Sequence, residues 1–74
     1  MSIDSKKIKK DIGARVKLLR RQQGLTQEEL ATAIGKFKPV IQRIESGTVN
    51  PSIYMLREIA GGLGIKLETL MNTI

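Results

Sequence analysis

The run Leu25-Thr26-Gln27-Glu28-Glu29-Leu30-Ala31-Thr32-Ala33-Ile34-Gly35-Lys36-Phe37-Lys38-Pro39-Val40-Ile41-Gln42-Arg43-Ile44-Glu45-Ser46-Gly47 decides how this chain folds. It carries a start and a stop for each of two short helices. Thr26 is an N-cap by residue type, and Glu29 three residues on completes a capping box. Leu25 and Leu30 stand where a hydrophobic staple clamps that cap. Leu30, Ala31 and Ile34 give the first helix an apolar face, and Gly35 supplies the positive φ that ends it. Pro39 suits the first turn of a second helix, and Gly47 closes it. Wound at about 100° per residue, the second helix places Phe37, Val40, Ile41 and Ile44 on one arc. Lys38, Pro39, Gln42, Arg43 and Ser46 fall on the other. Met alone, that polar arc fits an ordinary solvated face.

The flanking sequence is helical on both sides. Ile8, Ile12, Val16 and Leu19 recur at helical spacing, from a cap at Asp4 or Ser5 to about Gln23, with Gly24 as the stop. Residues 1–5 read as a flexible lead. After Gly47 comes a turn-rich loop, Thr48-Val49-Asn50-Pro51-Ser52, in which Ser52 caps a fourth helix. Its apolar stripe is Ile53, Leu56, Ile59, Ala60 and Leu63, and Gly64 ends it. A last short helix holds Leu67, Leu70 and Met71, flanked by Ile65 and Ile74. The expectation is an all-α chain forming a single domain over residues 1–74, with a helix-turn-helix at about 26–46. No internal repeat, linker or low-complexity segment interrupts it.

Composition narrows the function. A domain of 74 residues buries only about 60% of its unfolded surface, so it gains from dimerising. The chain holds no cysteine and no histidine. That removes disulfides, thiolate metal sites, the usual general base and the commonest metal ligand. No enzyme activity, cofactor or metal is expected. Thirteen Lys and Arg against seven Asp and Glu leave a net charge of +6, the footprint of a polyanion partner, nucleic acid ahead of an anionic membrane surface. Lys6, Lys7, Lys9, Lys10, Arg15, Lys17, Arg20 and Arg21 concentrate that charge near the N-terminus, either as a solvated helix face or as a non-specific phosphate contact. No apolar run approaches the ~18 residues of a membrane span, and no signal-peptide core opens the chain. A cytoplasmic protein is expected, with no membrane partner. Phe37 and Tyr54 are the only aromatic residues, too few for the stacking platforms of single-strand or RNA binders. Double-stranded DNA is the favoured partner.

Taken together, Thr26-Gln27-Glu28-Glu29-Leu30-Ala31, Ile34-Gly35, Ile41, Arg43-Ile44-Glu45 and Gly47 resemble the phage-repressor and Cro-like helix-turn-helix family, the Xre-type transcriptional regulators. Ile12-Gly13, Arg15-Val16 and Leu19-Arg20 extend the likeness on one side. Pro51, Ile59-Ala60 and Leu63-Gly64 extend it on the other, so that it spans about residues 11 to 71. The resemblance implies a compact five-helix, lambda-repressor-like DNA-binding domain. It further implies a transcriptional regulator, a repressor that binds a pseudo-palindromic operator as a homodimer, with half-sites ~34 Å apart. In such proteins the second central helix enters the major groove, which makes Lys38, Pro39, Gln42 and Arg43 the base-reading positions. Lys38 and Arg43 suit guanine O6 and N7, Gln42 suits adenine N6 and N7, and Pro39 suits only a thymine methyl.

By the same resemblance Gln27, Lys36, Thr48 and Asn50 occupy phosphate positions. Arg20 and Glu45 form a structural ion pair between the first helix and the end of the reading helix. Ile65, Leu67, Leu70, Met71 and Ile74 lie where the family often builds its dimer contact; the alternative is that they cap the monomer core. Two residues depart from the family pattern. Lys36 replaces an apolar turn residue, and Phe37 replaces a small polar one, from which Phe37 is expected to fill the core slot that Lys36 vacates. Two alternative functions share this fold. One is an antitoxin or regulatory subunit that docks a toxin or other protein partner, and the other is a restriction-modification controller protein.

Overall fold

The computed structural model describes residues 5–72, and among them five helices follow one another with no strand. They are α1 (Ser5–Gln22), α2 (Gln27–Ala33), α3 (Lys38–Glu45), α4 (Ile53–Gly62) and α5 (Leu67–Met71). Ser5 already belongs to α1 rather than to the flexible lead expected for 1–5; the rest of that lead, like Ile74, lies outside the described residues.

Local signals account for the boundaries. The Thr26 hydroxyl accepts from the Glu29 amide at 3.0 Å, and the Glu29 carboxylate accepts from the Thr26 amide at 2.9 Å, closing the capping box on α2. The backbone bond from Thr26, and then the one to its side chain, hold the Glu29 carboxyl below its ordinary pKa. At Gly35 the backbone takes φ 70°, and the next amide, of Lys36, bonds back to the Ala31 carbonyl at 2.9 Å. This is the tight turn of the motif. Only glycine takes that φ without steric cost. Pro39 sits in the first turn of α3, where its missing N–H costs nothing. Ser52 caps α4 through the Met55 amide at 3.0 Å.

One core unites the five helices. The largest fully buried side chains are Val16, Leu30, Ile41, Ile59 and Leu70, one from each helix in turn. Each contributes about 1.5–3 kcal/mol by burial. A helix of five residues has no stability of its own, so α5 depends on this burial of Leu70 and on a second tether. Arg15 of α1 supplies it, donating from Nε to the Leu70 carbonyl at 3.1 Å and from Nη2 to the Thr69 carbonyl at 2.9 Å. Both carbonyls lie at the C-terminal end of α5, a place that a guanidinium suits.

Two sequence expectations are corrected here. Phe37 does not enter the core: it is 84% exposed. Its backbone is extended (φ −102°, ψ 154°) as the N-cap of α3, so the side chain leaves the helical arc that would carry it inward beside Ile41 and Ile44. Ile53 is 68% exposed rather than part of the α4 stripe, because it is the first residue of the helix and the buried stripe begins only at Leu56. Leu70 is fully buried, in keeping with the second of the two readings of its segment, a cap on the monomer core.

Helices α1 and α3 cross with almost no space between their backbones. A Cβ built at Gly13 would lie 2.3 Å from the Ile44 carbonyl oxygen and 2.7 Å from that of Glu45. Since the obstruction is backbone, Gly13→Ala must push α1 off the end of α3. We expect it to cost at least about 1–3 kcal/mol, as overpacking does, and to lower Tm by about 4–8 °C per kcal/mol. Thermal melts followed by circular dichroism check this, and an unchanged Tm would refute the close crossing.

Candidate nucleic-acid interface

The interface is built on α3. Ile41 and Ile44 are buried on its inner side, and Lys38, Pro39, Gln42 and Arg43 are all exposed on its outer side. Eight residues at 1.5 Å each make a rod ~12 Å long, short enough to lie within the major groove with its N-terminal turn against base edges. Lys38, Gln42 and Arg43 therefore present donors, and Gln42 an acceptor as well, on one surface.

The end of α3 is held by a polar lock. The Arg20 guanidinium meets the Glu45 carboxylate in a bidentate pair, Nε to Oε2 at 2.6 Å and Nη2 to Oε1 at 2.9 Å. Arg20 also donates from Nη1 to the Leu25 carbonyl at 2.7 Å, just before the cap of α2. Gln27 Nε2 donates to Glu45 Oε1 at 3.1 Å. The lock thus joins α1, the start of α2 and the end of α3. The Arg20 and Glu45 side chains retain only 8% and 3% of their accessible surface. Hydrogen bonding to Glu45 raises the Arg20 pKa further above its ordinary value, against the opposing effect of burial. No buried side-chain polar atom among the described residues lacks a partner, which is the condition under which a buried ion pair is tolerated.

Beside the lock lies a basic cleft of about 500 Å³, lined by Lys17, Arg20, Arg21, Thr26, Gln27, Glu28 and Lys38. Glu45 neutralises Arg20, so the positive field comes from Lys17, Arg21 and Lys38. Lys17 and Arg21 were visible in the sequence only as part of a charged N-terminal helix. The signal that singles them out is tertiary: the end of α1 runs alongside the start of α2 and α3.

The remaining expected positions are scattered around this centre. Lys36 is exposed in the turn, but it borders a separate cavity with Glu58, Gly61 and Gly62 of α4. Thr48 is exposed after α3, its hydroxyl within 3.0 Å of the Ser46 hydroxyl and donating to the Arg43 carbonyl at 3.2 Å. Asn50 is exposed in the same loop. Of the expected dimer contacts, Ile65, Leu67 and Met71 are half-buried against the core. The apolar surface that stands free is elsewhere. Ile53 and Tyr54 are 68% and 70% exposed, and their sequence neighbours Ser52 and Met55 line a cavity of about 220 Å³ together with Val40, Arg43, Ile44, Val49 and Pro51. The sequence places Ile53 in the apolar stripe of α4 and marks Tyr54 only as an aromatic residue, with no contact assigned to it. Among the described residues no group of His, Cys, Asp or Glu could hold a metal ion, and no helix is long and apolar enough to cross a membrane.

A capped helix, a glycine turn and an exposed polar helix locked from behind define a DNA-binding helix-turn-helix domain. The chain belongs to the Xre-type helix-turn-helix family, whose model matches residues 16–70. It is 33% identical over 60 residues to the immunity repressor protein of Bacillus phage phi105, covering 81% of this chain and 42% of that protein. It is 36% identical over 62 residues to the transcriptional regulator SinR of Bacillus licheniformis, covering 82% and 56%. The chain thus spans about half the length of these two relatives. Among solved structures it resembles the restriction-modification controller protein C.AhdI of Aeromonas hydrophila, with TM-score 0.87 and 29% identity over 92% of this chain and 99% of that one. These relatives are regulators by description, not enzymes.

The lock makes a quantitative prediction. Arg20→Ala leaves the Glu45 carboxylate buried without its partner, at a cost of about 3–5 kcal/mol. At about 4–8 °C per kcal/mol, the variant is expected to melt more than ten degrees below the parent. Calorimetry decides the matter, and an unchanged Tm would show that the pair is not structural.

Proposed function

We propose that this chain is a sequence-specific regulator that binds a pseudo-palindromic DNA operator as a homodimer and represses by occupying it. The observation that carries this reading is the outer face of α3, where Lys38, Gln42 and Arg43 are exposed on a helix fixed from behind by Arg20 and Glu45. In this reading Lys38 and Arg43 donate to guanine, and Gln42 pairs with adenine. Lys17 and Arg21 follow the phosphates past the basic cleft, and Gln27, Lys36, Thr48 and Asn50 provide the outer backbone contacts. Gln27 has a second role, since its side chain also braces Glu45. The name of the phage repressor relative supports repression, and a cytoplasmic location follows from the DNA target. The likeness to C.AhdI over nearly the whole of both chains favours a second reading, a restriction-modification controller.

The dimer face is assigned to the start of α4. Ile53 and Tyr54 are exposed there, and Ser52 and Met55 on either side of them in sequence line an apolar recess, so the start of α4 offers protruding side chains and a recess close by in the chain. A two-fold contact requires that self-complementarity. The domain measures 38 × 23 × 21 Å, and the ~34 Å between half-sites lies between its short and long dimensions. Two copies in direct contact therefore reach successive grooves without a linker. The half-buried Ile65, Leu67 and Met71 have less surface left to give.

Selection of bound sequences from a random duplex pool at ~150 mM salt is expected to enrich an inverted repeat. Gln42→Ala/Arg43→Ala should abolish that enrichment while leaving salt-sensitive binding to any duplex. Arg43→Ala alone should relax one position of each half-site, losing about 1–3 kcal/mol of discrimination there. Arg21→Ala should weaken all sequences alike and reduce the salt slope by about one. Absence of any enriched sequence would overturn the reading, and a co-purified protein partner would then point to a docking subunit. Sedimentation provides a separate check on the dimer: Tyr54→Glu is expected to give monomers with an unchanged melting curve at low concentration, and dimers that persist would move the interface elsewhere.

A further inference from the structure

We propose that Phe37 is a specificity-determining residue, its ring packing against the C5-methyl group of a thymine in the major groove, beside the base read by Lys38. The inference rests on the DNA-reading function proposed above and names a contact beyond it.

Three observations converge on Phe37. Its ring is 84% exposed, in a chain with only one phenylalanine and one tyrosine. It occupies the N-cap of α3, where it makes no side-chain capping bond. Ser, Thr, Asp and Asn are strongly preferred at that position because they satisfy an open helix N–H. The neighbouring helices α2 and α4 have their caps, from Thr26 and Ser52. A phenylalanine here thus forgoes a stabilising cap and exposes a large apolar surface as well. Neither choice helps the fold.

The surroundings specify the ligand. Lys36 and Lys38 flank Phe37 in sequence and are both exposed. A second copy of the same face would set these lysines against their own kind, whereas a polyanion complements them. Within the major groove the base edges offer hydrogen-bonding groups and one apolar group, the thymine C5-methyl. An aromatic ring without donor or acceptor has that methyl as its only matched target there. Pro39, which follows Lys38 in sequence, is exposed as well and likewise carries no side-chain donor or acceptor. A cation that directly follows the exposed ring in sequence fits a guanine adjoining a thymine.

The test uses the duplex enriched by selection, with each thymine replaced singly by deoxyuridine, a change that removes only the methyl group. Wild-type protein is expected to lose about fourfold in affinity at one position per half-site, the worth of one methyl-sized apolar group withdrawn from water. Phe37→Ala should bind more weakly and show no such loss, while Phe37→Leu should retain part of it. Phe37→Ser is expected to restore the missing cap and raise Tm by about 4 °C or more, yet to lose the methyl dependence. Wild-type indifference to every substitution, or a Phe37→Ala variant as sensitive as wild type, would overturn the contact while specific DNA binding stands. A fall in Tm for Phe37→Ser would show that the ring is structural and overturn it too. Failure to enrich any duplex would remove both this contact and the function on which it rests.

Discussion

The Arg20–Glu45 pair is the interaction on which the arrangement of the other helices depends. α3 is an eight-residue rod with two fully packed apolar side chains, too short to hold a fixed angle by burial alone. A hydrophobic contact tolerates sliding, whereas a bidentate guanidinium–carboxylate pair with a third bond to the Leu25 carbonyl fixes direction as well as distance. Gln27 then occupies more of the same carboxylate from α2. The turn of the motif is therefore closed at both ends: covalently through Gly35–Phe37, and electrostatically through Arg20, Gln27 and Glu45. Close passage at Gly13 brings α1 near enough for Arg20 to reach.

Residues that stabilise α3 and residues that would read DNA alternate along it. Ile41, Ile44 and Glu45 face the domain, while Lys38, Gln42 and Arg43 face away. That separation gives the reading face freedom to vary without loss of stability, since no buried bond involves it. It also means that the reading side chains contribute their discrimination from a scaffold already rigid before DNA is met. Less ordering is then left to oppose binding.

Much of this organisation is legible in the sequence because it is local. The capping box at Thr26 and Glu29, the stop at Gly35 and the first-turn Pro39 each follow from residue chemistry within a few positions. The pairing of Arg20 with Glu45 spans 25 residues and came only through the family pattern, not through periodicity. The misplacement of Phe37 has a definite cause. Winding the arc back to residue 37 assumes helical backbone there, but the residue before a proline-containing first turn is an extended N-cap. The same holds at Ile53, where periodicity continued the stripe back to the first residue of α4, ahead of its first buried position, Leu56. Lys17, Arg21 and Tyr54 were illegible for a different reason. Their significance comes from which surfaces α1 and α4 leave open, and no local pattern encodes that.

The magnitudes also show what a second copy would add to the proposed task. Each good bidentate contact to a base discriminates by about 1–3 kcal/mol, and α3 offers three side chains equipped to make one. Regulators separate specific from non-specific sites by about 4–10 kcal/mol. Together Lys38, Gln42 and Arg43 would supply about 3–9 kcal/mol in a single copy, which falls below that range if each contact is weak and does not reach its top even if each is strong. The +6 charge does not help, because attraction to phosphates strengthens every site equally. Doubling the readers through a two-fold contact, or adding an apolar contact such as that of Phe37, raises discrimination without raising non-specific affinity. The exposed apolar residues at the tip of α3 and the start of α4 lie where each of those two additions would act.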